Sequence, residues 1–401
     1  MRRILVTLLV CFIANTFYAQ ELGDSKFGKG ILNYTTKDSS FSVKFAPRIQ
    51  FRSISNWDYN GEKFEDINQS FLIRRARLKF DGFAYSPKLH YKIELGIANR
   101  DIAGANQFNR NSPRIILDAF ITWNFHENFL LLAGQAKLPG NIERVISSAN
   151  LQLTDRSILN ASFNLDRDVG LQLHHFDQLG DTFIMREKIA ISQGEGRNVT
   201  EGNLGGLEYT GRVEFLPLGA FENDAEYVES DLERQEDPKL MLGVTYDYND
   251  DAVKTRSNLG SYMFLDNGEL YMTNITTVFV DAMFKYQGFS MFAEYADRNA
   301  DAPVALIQGE TDNTSGDIVL TGKAFNVQAG YLFQNNWEIA GRFTSNDYEE
   351  ISEKLDEKMY TIGVNKYIVG HKLKIQSDIN YATKNGVANN IYWTSGFELH
   401  F

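Results

Sequence analysis

Along most of this chain, hydrophobic and polar residues alternate one by one. Between Leu72 and Gly82 the apolar positions Leu72, Ala76, Leu78 and Phe80 share one parity, while Arg75, Arg77 and Lys79 occupy the other. A core helix would not scatter charge in this way. Leu117, Ala119, Ile121, Trp123 and Phe125 stand likewise against Asp118, Thr122 and Asn124, and Leu373, Ile375, Ile379 and Tyr381 against Lys372, Lys374, Gln376, Asp378 and Asn380. Successive side chains of a strand point to opposite faces, so each run predicts a strand with one greasy and one strongly polar side. Sixteen such runs follow one another, beginning near Phe41, Ser70, Leu89, Ile115, Phe129, Arg167, Phe183, Gly206, Lys239, Thr276, Gly288, Thr321, Asn336, Lys358, His371 and Ile391.

The connectors add a second regularity. Short ones at 86–87, 126–128, 287–288, 334–335 and 369–370 alternate with long ones at 53–69, 99–114, 139–166, 248–275 and 297–320; only 216–238, long and acidic, falls where a short turn belongs. An even strand number, tight turns at one end and long loops at the other describe a closed antiparallel barrel in a membrane. Every backbone group is then paired, so the greasy faces meet lipid and the polar faces a watery lumen. The expected fold is therefore all-β, a 16-stranded antiparallel transmembrane β-barrel with short periplasmic turns and long extracellular loops. Phe125, Phe129, Tyr286, Phe289, Phe333, Trp337 and Tyr367 flank the short turns and predict an aromatic girdle at headgroup level, although rings favour strands in any setting.

The N-terminus adds a compartment. Arg2 and Arg3 precede an apolar run from Ile4 to Ala14, and the small Ala19 gives way to a polar stretch, as in a secretory signal cleaved after Ala19. The run is too short to span a bilayer, and Val10 before Cys11 argues against a lipid anchor. The reading is thus a signal peptide at 1–19, an N-terminal periplasmic segment at 20–40 and a barrel at 41–401. A chain of 401 residues with 13% aromatics is not a disordered tail, a single cysteine is no disulfide scaffold, and a net charge of −12 argues against a nucleic-acid partner. Mean hydropathy is mildly hydrophilic; it does not discriminate a soluble β-sandwich from a barrel, because alternation averages out.

The last residues resemble the terminal strand read by the outer-membrane barrel assembly machinery, with Gly396, Leu399 and a final Phe401. Outer-membrane lipid and that machinery are the partners this implies, in the outer membrane of a Gram-negative bacterium. On the first five strands the inward set is Lys44, Arg48, Arg52, Arg75, Arg77, Lys79, Lys92 and Lys137 against Asp81, Glu94 and Asp118, a basic wall; farther round the set is mixed. Arg74 and Glu187 fall on the apolar parity, which predicts a bulge or a place at the rim. Candidate chemistry is sparse. His174 and His175 point to opposite faces and cannot easily chelate one ion, Gly194-Glu195-Gly196 lacks a third glycine, and no cofactor is expected. One alternative is a barrel hydrolase, a protease or lipase working at the loop rim, for which His174 with Asp168 is the one inward acid–base combination.

From Phe71 to Phe176 the motifs around Arg74-Arg75-Ala76-Arg77, Lys92-Ile93-Glu94, Leu117-Asp118-Ala119-Phe120, Gly134-Gln135-Ala136-Lys137-Leu138-Pro139, Glu143-Arg144 and Thr154-Asp155-Arg156-Ser157 resemble the phosphate-selective porin O/P family. The resemblance implies a sixteen-stranded porin, commonly a homotrimer, that passes small anions, with phosphate as a candidate, by passive diffusion. It also implies that the third long loop, here 139–166, folds inward. Arg74 and Arg75 match paired arginines at the family's constriction, and Lys137 the basic residue leading into the loop; Arg77, Lys79, Arg48 and Arg52 complete the expected anion-binding lining. Leu138-Pro139-Gly140-Asn141 departs from the Pro-Phe-Gly expected there.

Overall fold

The computed structural model describes residues 27–102, 104–200, 202–306 and 317–401; the segment 1–19, read above as a signal peptide, lies outside them. Sixteen antiparallel strands form the barrel: β1 Arg48–Asp58, β2 Asn68–Ala84, β3 Ser86–Gly96, β4 Ile116–His126, β5 Phe129–Lys137, β6 Arg167–Leu179, β7 Phe183–Ser192, β8 Glu208–Leu216, β9 Lys239–Ala252, β10 Thr273–Tyr286, β11 Phe289–Ala300, β12 Gly322–Leu332, β13 Trp337–Tyr348, β14 Glu357–Val369, β15 Leu373–Lys384 and β16 Val387–His400. Each pairs with its sequence neighbour, and β16 closes on β1 from Asn390↔Asp58 to His400↔Arg48. Closure leaves no edge for a second chain to extend. Ile121, Ile189, Ile339, Ile362 and Ile375 lie outward and exposed, the belt that alternation demands.

The run beginning at Phe41 is a strand in two pieces. Ser42–Phe45 pairs with Phe80 and Asp81 on the same edge of β2 that β1 occupies farther up, and it also pairs with Leu32–Thr35. Between the pieces stands Pro47, which has no amide to give the ladder. Gly82 is required where the N-terminal hairpin crosses β2, since a Cβ there would lie 2.1 Å from Ser42 O.

Two bulges correct the simple parity. The β1–β2 register shifts between Gln50↔Arg75 and Phe51↔Ile73, so Arg74 is the extra residue of a bulge. A one-residue insertion turns all that follows to the other face. Phe71 and Ile73 consequently face out, Leu72 faces in opposite Arg52, and Arg74 reaches the lumen from the greasy parity. A shift between Glu94↔Asp118 and Leu95↔Ile116 likewise turns Leu117 inward, away from the face it was expected to share with Ala119. Glu187 stays outward, 3.0 Å from His175. Phe125, Phe129, Tyr286, Phe289, Phe333 and Trp337 sit beside the turns, but Tyr367 leaves the expected girdle. It shares the inward parity of Asn365, is 1% exposed, and bonds Glu338 and Ser230 at 2.7 and 2.6 Å.

Candidate functional site

The segment between β5 and β6 folds into the barrel as expected, carrying the short helices α1 Ile142–Val145 and α2 Ile158–Phe163. Ser157 caps α2 by accepting from Asn160 N, which satisfies a donor with no helical partner. The loop is tied to the far wall strand by strand. Gly140 O accepts from Thr245 on β9, Asn141 donates to Glu294 on β11, Gln152 to Glu338 on β13, and Thr154 N to Asp378 on β15. Beneath these polar ties Ile142, Ile146 and Leu151 pack with inward Met241, Met283 and Phe292, while Leu159 and Phe163 pack with Phe279 and Ala296. The mixed half of the wall is therefore not a wetted surface. Arg212, Lys285 and Lys374 of that mixed set are buried against the loop or its neighbours, where a water-filled lumen is expected to bathe them, and Arg298 is buried against the loop as well.

What stays open lies mainly against β2–β6, with Met359 of β14 and Tyr392 of β16 also on its border. A cavity of about 360 Å³ is bordered by Arg74, Arg75, Arg77, Arg100, Arg144, Arg156, Arg167 and Arg197 against Asp101, Asp155 and Asp166. Eight guanidiniums thus border the cavity beside three carboxylates, with Glu94 on Arg77 and Asp118 on Arg167 as further partners behind the lining. Asp155 is the hub: Arg74 meets it at 3.2 Å, Arg75 at 3.4 Å and Arg52 more closely. Arg77 holds Asp101 through two bonds of 2.8 and 3.0 Å and also reaches Glu94, a planar fork matched to a carboxylate. Burial pushes the Asp155 carboxyl up, but Arg52, Arg74 and Arg75 hold it well below the ordinary carboxylate range. With 41% of the side chain still open to the cavity, charge outweighs desolvation. Asp101, held by Arg77, and Asp166, held by Arg144 and Arg167, are lowered in the same way against their own burial.

The other expected residues scatter. Arg48 is buried against Glu398 at 3.1 Å and Ser148 at 2.8 Å, so it fastens the inward loop to the closing strands. Lys137 points its ammonium at Val145 O and Ile146 O, at 2.9 and 3.3 Å, and braces α1 instead of facing the cavity. Lys79 pairs with Asp81 at 2.9 Å beside a second cavity of about 420 Å³ at the turn end, bordered also by Lys44 and Lys92. Gly396 lies against Phe51 O, Leu399 pairs with Ile49, and Phe401 N donates to Pro47 O at the barrel seam. Arg144, Arg156, Arg100, Arg167 and Arg197 were not anticipated as lining. The first two carry a sequence signal in the motifs quoted above, but residues of a folded loop have no parity from which to read direction. For the hydrolase alternative, His174 bonds Gln172 and Asp168 accepts from Val169 N and Gly194 N. Six residues of strand, about 20 Å, separate the two, too far for an acid–base dyad.

A family model described as phosphate-selective porin O and P matches residues 48–391, from the first residue of β1 into β16. An uncharacterized protein of Aquifex aeolicus (strain VF5) is 25% identical over 362 residues, covering 83% of this chain and 79% of that protein. Salmonella typhi OmpF in complex with daunomycin is similar in structure, with a TM-score of 0.55 and 12% identity over 92% of this chain and 100% of that one. An anion-selective porin from Comamonas acidovorans gives 0.52 and 11% over 90% and 100%. At such identities the two structures speak for the fold.

Proposed function

The chain belongs to the phosphate-selective porin O and P family and is an outer-membrane porin, and from that premise we propose that the solutes it favours are small anions, drawn through the arginine-lined gap between the inward loop and β2–β6. The observation that carries this is the imbalance of eight arginines to three aspartates at the gap. Fixed cationic side chains replace part of an anion's hydration and repel cations at close range. Acidic groups on distant loops are screened beyond about 10 Å at 0.1 M salt, so the chain's negative net charge does not cancel the field there.

The two cavities follow one another along β2, Arg77 bordering the upper and Lys79 the lower, which suggests a path from loop end to turn end. Arg74, Arg75 and Arg77 act at the gap, and Lys79 at its exit. Arg48, Arg52 and Lys137 work indirectly, by holding the loop and Asp155. Phosphate is a fitting member of the anion class because guanidiniums bind its oxygens in pairs. Transit is passive, with no covalent step. A homotrimer, a signal cleaved after Ala19, contact with outer-membrane lipid and assembly through the Gly396, Leu399 and Phe401 strand complete the reading, as the resemblance implies.

The test is the zero-current potential of the reconstituted protein across a potassium chloride gradient. It is expected on the anion side and flat from about pH 7 to about pH 4. Arginines do not titrate there, and a carboxyl with a lowered folded pKa keeps its charge until the pH falls through that lowered value. A cation-side potential, or a midpoint near pH 5, contradicts the proposal.

A further inference from the structure

Residues 217–238 break the rhythm of short turns, and the structure gives that exception a task. We propose that this turn-end connector is a second, permanently seated constriction element: it carries the inward loop from below and closes the half of the lumen beneath it, forcing solutes along the basic wall.

A tight turn would join β8 to β9 as well as any other pair, so its length calls for a role. The connector instead runs under the barrel as far as the β14–β15 turn. Arg234 donates to Leu332 O at 2.8 Å, Asp231 accepts from Gly288 N at 2.7 Å, and Ser230 reaches Glu338. It touches the inward loop directly. Glu229 N donates to Asn150 O at 3.0 Å, and the Glu229 carboxylate accepts from Gln152 N at 2.7 Å.

Two features mark the seat as permanent. Buried carboxylates need partners, and the connector's acids divide accordingly: Glu226, Glu229 and Asp231 are buried and bonded, with Glu226 on Arg186, while Glu222, Asp224, Glu233, Glu236 and Asp237 stay exposed at the mouth. The wall is also shaped to receive it. Inward Met241, Met283 and Phe292 form one apolar cluster with Phe221, Ala225 and the loop's Ile142 and Ile146, and the Lys285 ammonium is held by Val228 O and Ser230 O. Three large apolar groups and a buried lysine would face water if the connector swung away. A gate that opened often would not have such a seat.

This rests on the porin reading only in its selectivity readout, which the unmodified protein tests separately. Two experiments decide it. Cys11 is the only cysteine in the chain and lies in the segment read as a cleaved signal, so single cysteines can be placed freely. In folded protein, Asn223→Cys is expected to react at once with a membrane-impermeant thiol reagent and Ala225→Cys to resist it. Replacing 219–236 by a short turn is expected to raise single-channel conductance at least about twofold, as reopening roughly half of a wide lumen should, and to lower the anion-over-cation permeability ratio. Equal labelling of the two cysteines overturns the proposal. So does a folded, shortened variant with unchanged conductance and ratio; should that variant not fold, the labelling decides. A parent channel without anion preference would instead count against the proposed function.

Discussion

Replacing Arg74 and Arg75 together by alanine is expected to lower the anion-over-cation permeability ratio by about tenfold, which is about 1.4 kcal/mol in relative barrier. Two of the eight guanidiniums at the gap disappear, while Asp101, Asp155 and Asp166 remain. A unit charge acting at about 4 Å is worth about 1 kcal/mol in bulk water and about 4 kcal/mol at the effective dielectric of a protein surface. A partly wetted gap lies between these limits, so two charges suffice for the stated effect even after screening. Asp155→Asn is expected to move the ratio the other way, since Arg52, Arg74 and Arg75 would lose their shared counter-charge. Lys323→Ala serves as the control, because its side chain is 63% exposed on the outer rim and should leave the ratio unchanged. Zero-current potentials of the three variants under one salt gradient check all three signs, and an unaltered Arg74/Arg75 variant would remove these residues from the selectivity argument.

Phe163→Ala is expected to loosen the inward loop without unfolding the barrel. Phe163 is fully buried, its ring lies 5.9 Å from that of Tyr348 at an interplanar angle of 13°, and the Arg298 guanidinium sits 5.6 Å from its centroid. Truncating a buried aromatic costs about 3–5 kcal/mol. That loss falls on α2, a six-residue helix that cannot persist without its tertiary contacts. The β-ladder of neighbouring strands does not depend on the ring, so heat-modifiable migration on a gel should survive. Open-channel noise and mean conductance should both rise in single-channel records. A quiet current of unchanged size would mean that the loop is held elsewhere.

The strands were legible because a period of two is imposed on every residue by the choice between lipid and lumen. Even the misfit at Arg74 pointed to its own cause, since a bulge alone reconciles an inward arginine with the greasy parity of Ala76 and Leu78. Tyr367 misled for a related reason. Its ring sits beside a turn like the girdle residues, and only its parity with Asn365 shows that it faces in. Loop residues have no such rule. Arg144, Arg156 and Asp155 gain their directions from how residues 138–166 cross the lumen, which depends on contacts more than a hundred residues away, such as Asn141 with Glu294. The 217–238 connector was visible as long and acidic, but its destination was not. Met241, Met283 and Phe292, apolar on an otherwise polar parity, were the available signal that something covers the wall there.

The central physical claim is that solutes pass on one side of the inward loop alone, between it and β2–β6. Charge added chemically at chosen points of the lumen tests it most directly. With Arg74→Cys in a reconstituted channel, a negatively charged thiol reagent should lower the current in discrete steps and shift the zero-current potential toward cations. Thr245→Cys, on the filled side where Thr245 is fully buried against Pro139 O and Gly140 O, should give no response. A silent Arg74→Cys beside a blocked Thr245→Cys would place the passage on the opposite side and contradict the account.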